Sequence, residues 1–543
     1  LLAAFFALFY IYPLAAIFGL SFAPQGRLDV APLRKLVECS YYAQTLWFTV
    51  WQAAASTLLT LALALPGAYV FARYRFWGKE TLRAVSTLPF VLPTVVVANA
   101  FTALLGPRGL LNEGLVVLFN LPEPPIQLNH TIWMILLAHI FYNYSVALRI
   151  ISAFWQNLPP HLSQAAQMLG APPAKVFRHV TLPLLKPAIA AAGALVFIFS
   201  FTSFGVILIL GGPRFATLEV EIYRQAVNLF NLPVAAALSL LQIAFTFGLM
   251  GLYSRAQAKM ARPLTLQSSR AAQRPARRPA DRLLVGGNLT LMLALLGLPL
   301  LALVARSFAG QSGPTLAFYR ELFINRRGSV FFVPPGEAIF NSTAFALATV
   351  VLATALGLTG ALLLTRNNTP WARWLDPVFM LPLATSAVTL GFGYIIALNR
   401  PPFNLRSSPA LVPVAHTLVG LPFVIRSLLP AMRRINPRLR EAAALLGATP
   451  RRTWLAIDWP LIRRALLVGA VFAFTVSMGE FGATVFIARP QTPTMPVAIF
   501  RFLGQPGALN YGQALAMSSL LMLVCAAGFA AIERFRLGDE GEF

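Results

Sequence analysis

The sequence predicts an all-α, multi-pass membrane protein of about twelve transmembrane helices, arranged as two parallel six-helix repeats with pseudo-twofold symmetry. Three observations lead there. Hydrophobic residues make up 57% of the 543 positions and charged residues only 11%, with a mean hydropathy of +0.69; a chain of this kind has lipid as its natural solvent. The apolar residues fall into about a dozen long runs, and the chain matches itself at a fixed offset.

Hydrocarbon offers the backbone no hydrogen-bond partner, so a spanning segment is either a helix of roughly 20 apolar residues or a strand of a closed barrel. The length of the runs selects helices. In the first half they cover 1–22, read as a retained first span, then 43–72, 84–105, 131–153, 187–210 and 232–253. The second half has 283–307, 340–365, 375–398, 409–430, 463–487 and 511–533.

A formal charge of +25 raises the question of a polyanionic partner, which the placement of the charges answers. With residues 254–282 and both termini on the cytoplasmic side, alternation through the spans places 27 of the 43 Lys and Arg in inward-facing segments. This is the positive-inside pattern of a multi-pass membrane protein, and it predicts contact with membrane lipid and none with nucleic acid. Cys39 and Cys525 lie at opposite ends of the chain, which gives neither a metal-ligand spacing nor a persuasive disulfide.

The self-match has an offset of 277 residues and pairs unlike residue types without a gap: His139 with His416, Arg149 with Arg426, Gly170 with Gly447, Pro183 with Pro460, Phe204-Gly205 with Phe481-Gly482 and Arg224 with Arg501. Upstream the offset becomes 293, where Gly67 and Arg73 meet Gly360 and Arg366. Duplication is a common way to build a transporter. The division is a first transmembrane repeat at 1–253, a polar, basic, Pro-containing linker at 254–282 and a second transmembrane repeat at 283–543.

Between the fourth and fifth spans of each half lies the most informative segment, QAAQMLGAPPAKVFRHVTLP at 164–183 and EAAALLGATPRRTWLAIDWP at 441–460. Each opens with an Ala-rich run that favours helix and meets a glycine able to end it in a left-handed conformation. Thr449 and Pro450 then offer an N-cap and a preset first helical residue, so a short second helix is expected after the turn. Glu441 opens the second copy where the first has Gln164, and a carboxylate at a helix start is favoured by the dipole. A helix–turn–helix of this kind is a docking element.

These loops resemble the EAA loop of binding-protein-dependent ABC importers, a pattern of Glu-Ala-Ala, three residues, Gly, nine residues and Ile-x-Leu-Pro. Ala165, Ala166, Gly170 and Pro183 fit in the first copy, with Gln164 replacing Glu; Glu441, Ala442, Ala443, Gly447 and Pro460 fit in the second, with Trp459 replacing Leu. The fused two-half arrangement is similar to the permeases of the thiamine and ferric iron importers. The resemblance implies two copies of a cytoplasmic ATPase subunit seated on the two loops, and an extracytoplasmic solute-binding protein that delivers a small solute. It implies no cofactor and no catalysis in this chain, and the sequence contains no GxxxxGK[ST] loop to cradle a nucleotide.

Ionisable residues inside spans are default candidates for function. Glu480, expected within the eleventh span, and its repeat partner Ser203 are therefore the pathway candidates, Glu480 as an attractor of a cationic solute. His139 and His416 occupy equivalent places, a symmetry that favours a scaffold role. Arg149 and Arg426 are expected at the inner ends of their spans, snorkelling or bonded to the last helical carbonyls. The competing class is an ion-coupled secondary transporter of duplicated six-helix type, disfavoured by the scarcity of intramembrane acids.

Overall fold

A computed structural model describes residues 2–24, 27–260, 273–310, 313–324, 333–366, 375, 378–382, 385–399, 404–406 and 408–537. Among these, eleven helices are long and apolar enough to cross a bilayer. They are Leu2–Phe22, Ser40–Arg73, Thr94–Phe119, Ile132–Gln156, Pro173–Phe201 and Leu232–Arg255 in the first half, then Pro279–Ser307, Glu337–Thr365, Leu411–Arg434, Pro450–Gly479 and Ala508–Arg534. The span expected at 375–398 lies partly outside the described residues; its described portion includes the apolar helix Ala387–Ala397. Large apolar side chains on these helices, Trp47, Leu58, Leu301, Val351 and Leu523 among them, point outward. In a bilayer that outward face needs no further burial.

Three spans have boundaries other than those the apolar runs predict. The third span was expected at 84–105, but Pro89 and Pro93 each disfavour a helical residue before them. The chain therefore passes through short helices at Lys79–Val85 and Leu88–Val91 before the span begins at Thr94. The fifth and eleventh spans start at Pro173 and Pro450, well before the expected 187 and 463, because the second helix of each loop continues into the membrane rather than stopping. They end early, at Phe201 and Gly479, where the helix breaks.

The 277-residue offset persists in the local structure. Helices Pro160–Met168 and Pro437–Leu445 correspond, as do Pro173–Val176 and Pro450–Thr453 and the wide π-type turns Phe177–Thr181 and Trp454–Asp458. Pro183 and Pro460 follow those turns directly. A proline ring displaces the carbonyl four residues back and donates no hydrogen bond, which widens the turn ahead of it. Leu182 and Trp459 accordingly donate to the carbonyls of Phe177 and Trp454, five residues back.

Each half lends its first helix to the other. Leu2–Phe22 packs on Ala387–Ala397 of the second half as well as on Leu232–Met260 of its own, and Pro279–Ser307 packs on Thr94–Leu105 of the first half and on Ala508–Leu537. A Cβ on Gly393 would stand 3.0 Å from Pro13 Cβ, so the glycine permits this close crossing. Polar bonds fasten the exchange: Tyr10 Oη to Thr385 Oγ1 at 2.6 Å, Asn99 Nδ2 donating to Ser518 Oγ at 2.7 Å, and Arg306 donating to both Glu113 oxygens at 2.7 Å.

The end of the linker is fastened too, although its composition predicts no regular structure; residues 261–272 lie outside the described residues. Arg274-Pro275 pairs in parallel with Tyr74-Arg75. Tyr74 Oη donates to Asp281 Oδ1 at 2.7 Å and accepts from Arg274 at 2.8 Å, while the Arg274 guanidinium lies 5.1 Å from the ring centroid. Burial, reinforced by the bond to Asp281, pushes the Tyr74 hydroxyl up to about 12, and burial pulls the neighbouring Lys79 ammonium down to about 8. Tyr74→Phe removes both bonds and leaves the packing. It is expected to lower stability by about 1–2 kcal/mol and to speed proteolysis within the linker, read by limited trypsin digestion beside a thermal melt.

Candidate functional site

Two regions of the fold hold the residues singled out above. The first comprises the two surface loops. Gly170 and Gly447 adopt φ of +82° and +77°, each just past a short helix. In both loops the residue after the glycine donates six-to-one, Ala171 to the Ala166 carbonyl and Ala448 to that of Ala443, and the glycine itself donates to Gln167 or Ala444. This is a Schellman closure, which satisfies the final helical carbonyls and reverses the chain. Gln164, Ala165, Pro183, Glu441, Ala442 and Pro460 are exposed; Ala166 and Ala443 are half-buried.

The tips carry a feature the sequence reading passed over. Met168 and Leu169 are 89% and 88% exposed, and their repeat partners Leu445 and Leu446 are 90% and 87% exposed. Two apolar pairs fully offered to solvent at equivalent positions mark a surface built to be covered. The available signal was the apolar pair immediately before each turn glycine.

The loops are unequally braced. In the second, Asn436 and Thr449 side chains accept backbone N–H groups of Arg438 and Arg452, and Arg440 pairs with the buried Asp458 at 2.8 Å. The first loop has Pro159, Ser163, Pro172 and Thr181 in those places, and neither of its helices has a side-chain cap. The dipole argument for Glu441 does not hold: its helix begins at Pro437, which puts Glu441 in the second turn, beyond the free N–H groups.

The second region is the pair of helix breaks near the middle of the structure. Glu480 is not inside a helix but at the end of one, with φ −69° and ψ 125°. Its carboxylate accepts from the N–H groups of Ala483 at 2.8 Å and Thr484 at 3.0 Å and from the Thr484 hydroxyl, and it lies 3.3 Å from His416 Nε2. It thereby caps the short helix Thr484–Ile487. In the first half Ser203 occupies the equivalent break and bonds His139 Nε2 at 2.8 Å. The other ring nitrogens reach Ser56 on the second span from His139, and Ser477, in the last turn of the helix leading into the break, from His416.

Glu480→Ala leaves two buried N–H groups without an acceptor, at about 1–3 kcal/mol each, whereas Glu480→Gln keeps one carbonyl oxygen for them. The alanine variant is expected to lose far more thermal stability than the glutamine variant, read by melting of the purified protein in detergent. Arg149 donates to Thr87 Oγ1 at 2.9 Å and Arg426 to Met380 Sδ at 3.3 Å. Those two partners are themselves repeat equivalents at the 293 offset, so each arginine reaches across to the segment preceding a third span.

The breaks bring the two halves into contact on equivalent residues. Phe204 and Phe481, 277 positions apart, stack on one another with ring centroids 5.6 Å apart and planes at 24°. Tyr223 meets Phe204 edge-on at 5.6 Å and Phe486 at 5.5 Å, and Phe500, the partner of Tyr223, meets Phe481 at 5.3 Å. Both stacked rings are buried. The glycines that follow let the breaks press against the third spans: a Cβ on Gly205 would collide with Thr94, and one on Gly482 would stand 3.0 Å from Ala387 Cβ. The result is an aromatic plug at the seam between the halves.

Residues 42–262 match the family of the binding-protein-dependent transport system inner membrane component. With its apolar helices the chain is a multi-pass membrane protein, and over those residues it is similar to the permeases of that transport class. Its relatives include the thiamine transport system permease protein ThiP of Brucella suis biovar 1, 28% identical over 485 residues, covering 88% of this chain and 85% of the relative. ThiP of Escherichia coli K12 is 28% identical over 515 residues, covering 91% and 89%, and a probable ABC transporter permease of Sinorhizobium fredii is 27% identical over 513, covering 92% and 88%.

Proposed function

We propose that the chain is the membrane-spanning permease of an ATP-driven importer for a small cationic solute of the thiamine class. One ATPase subunit docks on each of the loops centred at Gly170 and Gly447. A solute-binding protein delivers the cargo to the opposite face. The loops, residues 254–282 and both termini lie on the cytoplasmic side, in keeping with the distribution of Lys and Arg. The observation that carries this reading is the pair of equivalent turns, each presenting two exposed apolar residues beyond a left-handed glycine.

Closure of the two ATPase subunits against each other would move the loops, and each loop runs without interruption into the helix that ends at its break. Movement at the surface is thus transmitted along a rigid rod to Phe204 and Phe481. Alternating access then amounts to opening and closing the plug. The names of the relatives support an organic cation over ferric iron as the cargo.

The test is reconstitution in proteoliposomes of the complex purified with its ATPase and binding protein. ATP inside the appropriate compartment is expected to drive uptake of labelled thiamine. Uptake that ignores ATP and follows an imposed proton or sodium gradient would sink this reading and favour a secondary transporter.

A further inference from the structure

The short helix Leu218–Tyr223 carries two buried acids with no part in the mechanism above: Glu221, which accepts from Tyr41 and Gln225 of its own half, and Glu219. Glu219 is fully buried, and its carboxylate accepts hydrogen bonds from the Ser386 hydroxyl at 2.6 Å and the Gln242 amide at 2.9 Å. Among the described residues, no Lys, Arg or His forms an ion pair with it. A buried carboxylate held only by neutral donors is destabilising, and in a membrane protein such a group marks a functional position by default.

Its two bonds come from different halves. Gln242 sits on the sixth span, in the same half as Glu219. Ser386 belongs to the second half, where its oxygen also accepts from the N–H groups of Val388 at 3.1 Å and Thr389 at 3.5 Å and so caps helix Ala387–Ala397. The Glu219–Ser386 bond therefore crosses the seam. On the other side of the repeat the corresponding positions are Pro496 and Pro93, which can form no such bond. The link is thus particular to one copy, unlike the His139 and His416 ties, which recur in both.

Glu219 is also placed next to the plug. Tyr223, one helical turn on, is the residue that packs against Phe204 and Phe486. When the halves part at the plug, the Ser386 bond must break while the Gln242 bond travels with Glu219. The carboxylate is then left facing the opening, beside aromatic faces that attract cations.

We propose that Glu219 is the cation-selecting group of the transport pathway, covered by Ser386 while the halves are closed and uncovered when they separate. This rests on the permease reading above and assigns a residue to the selection of its cationic cargo. It also moves the attracting charge from Glu480, whose oxygens are committed to a helix cap, to an acid whose covering bond is the one that opening removes.

The experiment uses Ser386→Cys in a Cys39→Ser background, in the complex with its ATPase. The thiol is labelled with a cationic and an anionic methanethiosulfonate, at rest and after trapping with ATP and vanadate. Labelling is expected to be at least tenfold faster in one state than in the other, and in that state the cationic reagent is expected to react faster than the anionic one. Adding Glu219→Gln is expected to reduce that cation preference about tenfold. Equal labelling in both states, or a cation preference indifferent to Glu219→Gln, overturns the proposal and leaves a static packing acid. In uptake assays, Glu219→Gln is expected to raise the KM for thiamine about tenfold with kcat within about threefold. A complex that takes up no thiamine, yet shows state-dependent labelling governed by Glu219, would remove the thiamine assignment while upholding the cation site.

Discussion

Replacing Gly170 or Gly447 with valine is expected to strip the ATPase subunit from the detergent-extracted complex. Neither position lacks room, since no atom lies within 4 Å of where a Cβ would sit. The obstacle is the backbone: φ values of +82° and +77° are strained for any L-residue and worst for a β-branched one, costing about 1–3 kcal/mol. Relief of that strain unwinds the Schellman closure and swings Met168-Leu169 or Leu445-Leu446 out of register. Asparagine tolerates the left-handed region, so Gly447→Asn is expected to retain the ATPase. The first loop should be the more sensitive, because it lacks the Asn436 and Thr449 caps and the Arg440–Asp458 ion pair that brace the second. The measurement is co-purification at matched expression and fixed salt. Full retention in both valine variants would remove the docking role from these loops.

Truncating Phe204 and Phe481 together is expected to make the resting permease leak. The two rings fill the seam on equivalent residues, and each Phe→Ala change deletes about 3–5 kcal/mol of packing where the site cannot collapse. Here collapse is opposed by the helix breaks, which Glu480, His416, Ser203 and His139 hold in place. Proteoliposomes loaded with thiamine and lacking ATP should therefore lose it severalfold faster when they contain the double alanine variant. Leucine at both positions preserves most of the volume and forfeits only the aromatic pairing, worth about 0.5–1.5 kcal/mol, so its leak should be much smaller. A double alanine variant as tight as the wild type would place the barrier elsewhere in the pathway.

Both results turn on features with different visibility in the sequence. The turn glycines were legible because a left-handed cap has a local signature, an Ala-rich run followed by Gly and then Pro, repeated at a constant offset. The plug was not. Phe204 and Phe481 matched in the repeat, but in a chain with 42 phenylalanines a matched pair reads as ordinary core until the fold shows the two rings touching. Glu480 was located correctly and placed in the wrong surroundings, because the apolar run continues on both sides of the break. Glu219 escaped notice since it lies between runs, in a segment that looks like a connecting loop and is folded back into the buried seam.

Solvent, helical class, duplication and the shape of the paired loops are written locally in the chain. Composition, apolar run length and capping residues act within a few turns and need no distant partner. Which helix belongs against which half, where the spans break, and which acid is committed and which can be uncovered emerge from long-range packing alone. Those depend on contacts between residues hundreds of positions apart, such as Glu219 with Ser386 and Phe204 with Phe481, and on prolines and glycines whose effect is set by the backbone they press against.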